Sequence, residues 1–415
     1  MSRLVRLVRM AGVGARTGAS VLLSKRSAAT AERAAEVLGT LRGLPAKVGQ
    51  MLSYVDGFLP ESQRTAFEQA MQPLQRDAPT SSVDAVHALI EQELDAKLGD
   101  LFLEFRDEPI ASASIGQVHW ARLLDGREVA VKVQHARIDE AIESDLNNAG
   151  MLESVVSLLG PKAMNARAVL EVVRQRFREE LDYTLEAERQ RYFAEVHAGD
   201  SAIKIPRVIA ERSSRRVLTT ELARGASLAQ AQGASVELRR QYAETLWRFV
   251  FKGYLVGGVF NADPHPGNYL FHPDGTVTFL DFGCVQPLED TQLARARRVH
   301  HAALSGDAAG FERRIVELLE LRGGKYQDVA LDYTRQCFEP LFASPFHITR
   351  RYVAGLVQQI QELKQVMLAR DKSFVPLPPH MVFMNRLQFG FYSVLARLDV
   401  EVDYRATELA FLGPG

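Results

Sequence analysis

The stretch Asn261–Gly283, with the sequence NADPHPGNYLFHPDGTVTFLDFG, constrains the fold of this chain more than any other segment. It holds Asp263 and, five residues later, Asn268, in a loop too rich in proline for a helix or a sheet ladder. A β-hairpin is predicted next, because Pro273-Asp274-Gly275 separates two short runs of strand-forming residues. The stretch ends at Asp281-Phe282-Gly283. Two carboxylates and an amide form a set of hard oxygen ligands that suits a divalent cation bound to phosphates.

The overall composition limits the class of protein. With 415 residues and 47% hydrophobic content, the chain is long enough for one large domain or two modest ones. A net charge of -1 predicts no nucleic-acid partner. Two cysteines are too few for a disulfide framework or a zinc site, which indicates a reducing, cytoplasmic compartment. No apolar run approaches the roughly 20 residues that a membrane-spanning helix needs.

The N-terminal segment before the first acid, Glu32, is basic and amphipathic. Its basic residues are Arg3, Arg6, Arg9, Arg16, Lys25 and Arg26. Such a segment can lie on anionic lipid, so we expect peripheral contact with the inner membrane surface. Its arginine-rich, acid-poor composition also resembles a targeting peptide. A solvated, frayed terminus is the alternative, since Gly12 and Gly14 weaken any helix here.

Strands are predicted after Phe102, together with a loop of small residues at Ala111–Gly116. Small residues let backbone N–H groups approach a ligand closely. The segment Glu128–Val133 is predicted as a buried strand that carries Lys132. Because a buried ammonium is costly without an anion, Lys132 is expected to face a carboxylate or a phosphate. A lysine at the solvated edge of a strand is the alternative.

A long, highly charged helix is predicted from Val169 to Val196. On an ideal helix Asp182 and Glu186 share a face, whereas Glu180 points elsewhere. Apolar residues alternate with these acids, so we expect some of the carboxylates to be carried inward. A further strand, Arg216–Leu222, follows. The rest of the chain is predicted to be mostly helical outside Asn261–Gly283. Predicted helices elsewhere in the chain include Asp139–Leu159, Val236–Val256 and Tyr333–Phe342.

The order of these parts resembles that of protein kinases: a phosphate-covering loop, a strand lysine paired with a helix glutamate, a catalytic loop and a metal-binding aspartate. The spacing from Asp263 to Asn268 equals that of the kinase catalytic Asp and Asn. The chain departs from the pattern as well. Ala111 and Ala113 stand at the first two glycine positions of the loop, and no Ala-Pro-Glu follows Gly283. A peptide-docking activation segment is therefore not expected.

With these departures, the sequence resembles the UbiB/AarF family of atypical kinase-like proteins. The resemblance covers the range from about Leu41 to at least Val285. The motifs that carry the resemblance are Lys47-Val48-Gly49-Gln50 (K-x-G-Q), the alanine-rich loop Ala111–His119, Val129-Ala130-Val131-Lys132, Glu180-Leu181-Asp182 (E-x-D), Glu186, Asp263–Asn268 and Asp281-Phe282-Gly283. In that family the K-x-G-Q helix covers the cleft where a kinase would bind its peptide.

The resemblance implies a role for each matching residue. Lys47 should contact Glu180 or Asp182, and Lys132 should pair with Glu186. Asn268 and Asp281 should hold Mg²⁺, for which Mn²⁺ is a substitute, and Asp263 should occupy the catalytic-base position. The residues assigned to ATP binding are Ala111, Ser112, Ala113, Ser114, Gly116, Val118, Lys132, Glu221 and Leu222.

The resemblance also implies an α+β, bilobal protein-kinase-like fold. Residues 1–80 would form the basic N-terminus and a helical extension that carries the K-x-G-Q motif. Residues 81–225 would form an N-lobe with inserted helices, and residues 226–415 a mostly helical C-lobe. The implied function is an ATPase that supports quinone or isoprenoid-lipid metabolism, with a homodimer or a lipid-biosynthesis complex as its assembly. The alternatives are a small-molecule or lipid kinase and a non-catalytic nucleotide-dependent scaffold.

Overall fold

The described part of the chain, in a computed structural model, comprises residues 81–112, 115–140, 142, 174–175, 177–368 and 384–413. The basic N-terminus, the K-x-G-Q motif and most of the helix predicted from Asp139 to Leu159 lie outside these residues. The chain divides into two compact units, one of residues 1–82, 112–117 and 135–178, the other of residues 83–111, 118–134 and 179–415. The predicted boundaries at residues 80 and 225 stay predictions.

In the first unit, Ser81 Oγ lies 3.1 Å from His135 Nδ1, and the backbone N–H of Ser81 donates to Gln117 Oε1 at 3.2 Å.

The strands of the described residues are β1 (Phe102–Ser112), β2 (Gly116–Leu123), β3 (Glu128–Gln134), β4 (Ile203–Lys204), β5 (Val217–Glu221), β6 (Val259–Asn261), β7 (Tyr269–Phe271), β8 (Val277–Phe279), β9 (Val285–Pro287), β10 (Phe346–His347) and β11 (Glu401–Val402).

The helices are α1 (Val83–Leu94), α2 (Leu98–Leu101), α3 (Tyr183–Val196), α4 (Leu228–Ala231), α5 (Val236–Leu255), α6 (Asp290–Leu304), α7 (Ala308–Leu319), α8 (Gly324–Cys337), α9 (Glu339–Phe342), α10 (Arg350–Leu368), α11 (Met384–Leu398) and α12 (Tyr404–Leu412). Among the described residues, none of the helices is both long enough and apolar enough to cross a membrane.

A four-stranded sheet in the order β1-β2-β3-β5 forms the smaller half of the fold. Strand β3 alternates from Glu128 to Val133, so Val129, Val131 and Val133 are fully buried in a core shared with α1. The same alternation turns Lys132 to the opposite face of the sheet. Strand β3 pairs antiparallel with β5, and Lys132 lies opposite Leu218.

The larger half is helical and is built around α5, whose first turn is capped by Ser235. Trp247 is buried in this core, with its ring centroid 4.3 Å from that of Tyr404 in the C-terminal helix α12. Helix α5 agrees with the predicted segment Val236–Val256. The single helix predicted from Tyr333 to Phe342 was wrong, because α8 ends at Cys337 and α9 begins at Glu339.

The stretch Asn261–Gly283 is flanked by two short strands that pair with each other. Strand β6 comes just before Asp263 and strand β9 just after Gly283, and the two pair antiparallel with Asn261 opposite Val285. Between them, β7 and β8 form the predicted hairpin, with Tyr269 opposite Phe279. The ladder and the hairpin together bring the loop of Asp263 to the segment of Asp281, although the two aspartates are far apart in sequence.

Candidate functional site

Lys132 and Glu186 form an ion pair between the sheet and helix α3. The Lys132 ammonium donates to both carboxylate oxygens of Glu186, at 2.7 and 2.8 Å. Their side chains are 23% and 5% exposed, so the pair is largely removed from water. The ammonium also lies 4.9 Å from the ring centroid of Tyr183, the first residue of the same helix. The predicted pairing of Lys132 with Glu186 is therefore present.

The charges around this pair favour a cation. Burial by itself would lower the pKa of Lys132, but the carboxylates of Glu186 and Asp281 outweigh it and raise that pKa. Burial raises the pKa of Glu186, the ammonium of Lys132 opposes this change, and the charge of Asp281 adds to it. Two carboxylates thus act on one ammonium. A divalent cation bound at Asp281 would lower the repulsion between these carboxylates.

Asp281 is held in place by its own chain. The backbone N–H of Gly283 donates to Asp281 Oδ1 at 2.8 Å, and the Asn261 amide donates to the Asp281 carbonyl oxygen at 2.5 Å. Phe282, between them, is fully buried, and its ring centroid lies 5.2 Å from that of Phe193 in α3. Buried packing of Phe282 therefore fixes the backbone on which the Asp281 carboxylate is mounted.

Asp263 and Asn268 face each other across the proline-rich loop. The Asn268 side-chain amide donates to the Asp263 carbonyl oxygen at 3.1 Å and to its carboxylate at 3.4 Å. This leaves the Asn268 amide oxygen as the atom suited to a metal. The loop was predicted to contain no helix, whereas Pro266–Asn268 forms one 3₁₀ turn.

Asp281 and Asn268 supply oxygen donors of the kind that Mg²⁺ binds. In the part of the chain that the structure describes, no group of three or more His, Cys, Asp or Glu side chains forms a metal site. Mg²⁺ ordinarily takes one or two carboxylates and completes its octahedron with water and phosphate oxygens. Asp281 and the amide oxygen of Asn268 suit that limited role. Their assignment as metal ligands stays a prediction.

The E-x-D segment differs from its prediction. The helix predicted to run unbroken to Val196 is interrupted at Leu181 and Asp182, and α3 begins at Tyr183. Asp182 is the N-cap of α3, since its Oδ1 accepts from the backbone N–H groups of Thr184 at 3.0 Å and Leu185 at 3.4 Å. Asp182 therefore starts the helix that carries Glu186. Lys47 lies outside the described residues, so its contact with Glu180 or Asp182 stays a prediction.

The loop of small residues was predicted to begin at Ala111, but β1 extends through Ser112. Ala111 and Ser112 are exposed residues at the end of β1, whereas Gly116 and Val118 belong to β2. The remaining predicted loop residues, Ala113 and Ser114, lie outside the described residues. The contact of this loop with nucleotide stays a prediction.

Glu221 is the last residue of β5, and Leu222 follows it. The backbone N–H of Glu221 donates to the Arg207 carbonyl oxygen at 2.9 Å, and that of Leu222 to the Glu128 carbonyl oxygen at 3.1 Å. Both N–H groups are therefore engaged within the protein. The nucleotide-binding role of Glu221 and Leu222 stays a prediction.

Two residues that support the site were missed in the sequence. Asn261 links the loop of Asp263 to the segment of Asp281. Its side-chain amide donates to the Asp281 carbonyl oxygen, and its amide oxygen accepts from the Asp263 N–H at 2.9 Å. Gly390 in α11 lies against Pro264, and a Cβ atom there would come within 2.4 Å of the proline ring. An Asn two residues before an Asp is a recognisable turn signal. Nothing in the sequence indicates the contact of Gly390.

Cys284 and two histidines near the functional motifs have no evident role in the chemistry of the site. Cys284 is half-buried. His119 is buried, with Nδ1 2.8 Å from the Arg106 carbonyl oxygen, and His265 accepts from the Gly267 N–H at 3.1 Å. Both histidines make hydrogen bonds to the backbone.

Known proteins resemble this chain over most of its length. The family model of the ABC1 atypical kinase-like domain matches residues 73–314. The chain is 31% identical to the mitochondrial atypical kinase COQ8B of Rattus norvegicus, over 91% of this chain and 71% of that protein. It is 28% identical to the mitochondrial atypical kinase COQ8 of Saccharomyces cerevisiae, over 89% of this chain and 74% of that protein. The chain spans between half and three quarters of the length of such mitochondrial relatives.

One solved structure extends the likeness to the fold. The structure of Rv3197 from Mycobacterium tuberculosis in complex with erythromycin is 28% identical in sequence and has a TM-score of 0.65. The match covers 98% of each chain. Together with the matched domain, it confirms the predicted α+β, kinase-like fold.

Proposed function

The chain belongs to the ABC1 family of atypical kinase-like proteins, as its UbiB/AarF motifs predict, and we propose that it is a magnesium-dependent ATPase. ATP would bind between the sheet and the helical half, and its hydrolysis would support quinone or isoprenoid-lipid metabolism. The observation that carries this proposal is the buried Lys132–Glu186 pair with the charge of Asp281 beside it. That arrangement suits a metal-bound polyphosphate, because the ammonium can bind phosphate and a carboxylate can bind the metal.

Each residue of the site has a distinct task in this proposal. Lys132, oriented by Glu186, would hold the phosphates, and Asn268 with Asp281 would hold Mg²⁺. The bound ion would neutralise charge on the phosphate oxygens during transfer. Asp263 would accept a hydrogen bond from the attacking oxygen and hold it in line with the phosphorus atom. Positioning and electrostatics would supply most of the rate enhancement, as is usual for phosphoryl transfer.

The acceptor is proposed to be water, because the connection after Gly283 is short for a peptide-docking segment. After Gly283 the chain enters β9 at Val285 and begins α6 at Asp290. Strand β9 pairs with β6, so part of this short connection belongs to the ladder that brings Asp263 and Asp281 together. A segment that short leaves water or a small molecule as the acceptor.

Phosphate release by the full chain, with and without liposomes containing quinone-like lipid, tests the proposal. The parent should release phosphate only with Mg²⁺, faster on liposomes, and Asp281→Asn should lose this activity. Asp328→Asn, an exposed aspartate of α8, is the matched control and should behave as the parent. Robust turnover by Asp281→Asn would refute the proposal.

The retained Asp263 keeps a second function open, that of a small-molecule or lipid kinase. Labelled γ-phosphate from ATP would then appear on an extracted lipid or metabolite rather than as free phosphate. Tight nucleotide binding with no turnover under any lipid condition would instead favour a nucleotide-dependent scaffold.

A further inference from the structure

Arg189 joins helix α3 to the segment that carries Asp281. It lies one turn beyond Glu186 on the same helix. One guanidinium nitrogen, Nη1, donates to the Gly283 carbonyl oxygen at 2.7 Å, and the other, Nη2, to Glu179 Oε2 at 2.7 Å. The side chains of Arg189 and Glu179 are 14% and 16% exposed, so both hydrogen bonds lie away from bulk water.

The contact with Gly283 bears directly on Asp281. The N–H of Gly283 already donates to Asp281 Oδ1, and its carbonyl oxygen accepts from Arg189. Gly283 is thus held on both sides, by the carboxylate before it and by the guanidinium of α3. Release of the carbonyl would let the backbone at Gly283 rotate, and the Asp281 carboxylate would lose its fixed direction.

Glu179 sets the orientation of Arg189. It lies just before the N-cap Asp182, whose N–H donates to the Glu179 carbonyl oxygen at 3.1 Å. A planar guanidinium can bridge a carboxylate and a carbonyl at once, whereas a lysine ammonium at the end of a flexible chain reaches one of them at a time. The need for two acceptors in fixed positions therefore explains arginine at this site.

We infer that Arg189, oriented by Glu179, is a positioning residue that fixes the Asp281 carboxylate for the metal–nucleotide complex. This inference rests on the proposed function for its catalytic meaning, while the positioning itself is a property of the protein alone. One helix then carries both supports of the site: Glu186 orients Lys132, and Arg189 orients Asp281.

Hydrogen–deuterium exchange of the full chain tests the positioning without any nucleotide. Arg189→Lys keeps the charge but loses the bridge, and Arg191→Lys, exposed on the same helix, is the matched control. Loss of a charge-assisted hydrogen bond predicts about tenfold faster exchange in the peptide around Phe282 and Gly283. Exchange within α3 and across the helical core should stay as in the parent, and Arg191→Lys should change nothing. Glu179→Gln should shift exchange in the same direction by less.

Unchanged exchange around Gly283 in Arg189→Lys would overturn the inference. Equal acceleration throughout α3 and the helical core would overturn it too, because Arg189 would then be only a structural residue.

A second measurement links the positioning to the metal. The Mg²⁺ concentration that half-saturates binding of a fluorescent ATP analogue should rise severalfold in Arg189→Lys, while binding in EDTA stays the same. An unchanged Mg²⁺ requirement would also overturn the inference. If the parent binds no nucleotide with Mg²⁺ but the exchange result holds, the proposed function fails and the positioning of Asp281 stands.

Discussion

The ammonium of Lys132 lies 2.7 and 2.8 Å from the two carboxylate oxygens of Glu186, although the residues are 54 positions apart in sequence. Strand β3 supplies one partner and helix α3 the other. The pair therefore joins the sheet to helix α3 at the proposed nucleotide site. Because both side chains are largely buried, the loss of either one should affect stability as well as function.

Lys132→Met should destabilise the fold, because Glu186 would be left buried without its counter-ion. Removal of one partner of a buried ion pair typically costs about 3 kcal/mol or more. The double variant Lys132→Met/Glu186→Leu should recover much of that loss, since no unpaired charge remains. Urea unfolding measures the stability, and neither variant should bind Mg-ATP as the parent does.

The control for the pair is Lys325→Met, an exposed lysine of α8, which should unfold as the parent does. A single variant Lys132→Met as stable as the parent would show that Glu186 finds another partner or is not effectively buried.

Gly390→Ala should impair the site through Pro264. Alanine would gain about 1 kcal/mol of helix propensity, but its Cβ would lie 2.4 Å from the Pro264 ring, which is buried and rigid. Overpacking of this kind costs about 1–3 kcal/mol, so the steric effect should prevail. Since Pro264 adjoins Asp263, phosphate release should fall about tenfold or more while circular dichroism stays unchanged.

Gly99→Ala provides the comparison, because nothing lies within 4 Å of a Cβ atom at Gly99. Equal activities of Gly390→Ala and Gly99→Ala would mean that α11 yields without moving the catalytic loop.

His197 should make stability fall on mild acidification. It follows α3, is 3% exposed, and stacks on Phe249 with ring centroids 4.9 Å apart. Burial, aided by Lys252 and Arg248 and opposed by Asp200, lowers the pKa of His197 from 6.5 to about 4. Between these two pH values the unfolded chain binds a proton that the folded chain does not. Stability is therefore full above about pH 6.5 and falls by roughly 3 kcal/mol as the pH drops to about 4.

His197→Gln should flatten this part of the profile, as measured by urea unfolding at a series of pH values. The same slope in His197→Gln would assign the acid sensitivity to other groups.

Ala111→Gly should tighten nucleotide binding. A Cβ atom restricts φ and holds the chain away from a ligand, and glycine removes both restrictions. Ala111 is exposed at the end of β1, so the substitution should lower the stability of the fold little. A severalfold lower Kd for ATP is expected by titration, with Ala198→Gly in an exposed turn as the control. Identical ATP and ADP dissociation constants in Ala111→Gly and parent would sink the idea.

Local patterns in the sequence predicted local structure well. The turn Pro273-Asp274-Gly275 lies between β7 and β8 as expected, because turn residues act through their own backbone preferences. The break before α3 was not predicted, because the local sequence pattern does not mark it. The apolar pattern continues through Leu181, and only the capping hydrogen bonds of Asp182 show that the helix restarts. The backbone N–H groups of Glu221 and Leu222 donate to the Arg207 and Glu128 carbonyl oxygens, and no local pattern reveals these partners.

The sequence by itself predicted the chemistry that we propose for this protein. The types, order and spacing of Lys132, Asp263, Asn268 and Asp281 indicate a phosphate and metal site, because those side chains carry the charge and the ligand atoms. Only the tertiary structure decided how they are supported. The Arg189–Gly283 and Gly390–Pro264 contacts join distant parts of the chain, and packing across such distances depends on the whole fold rather than on spacing.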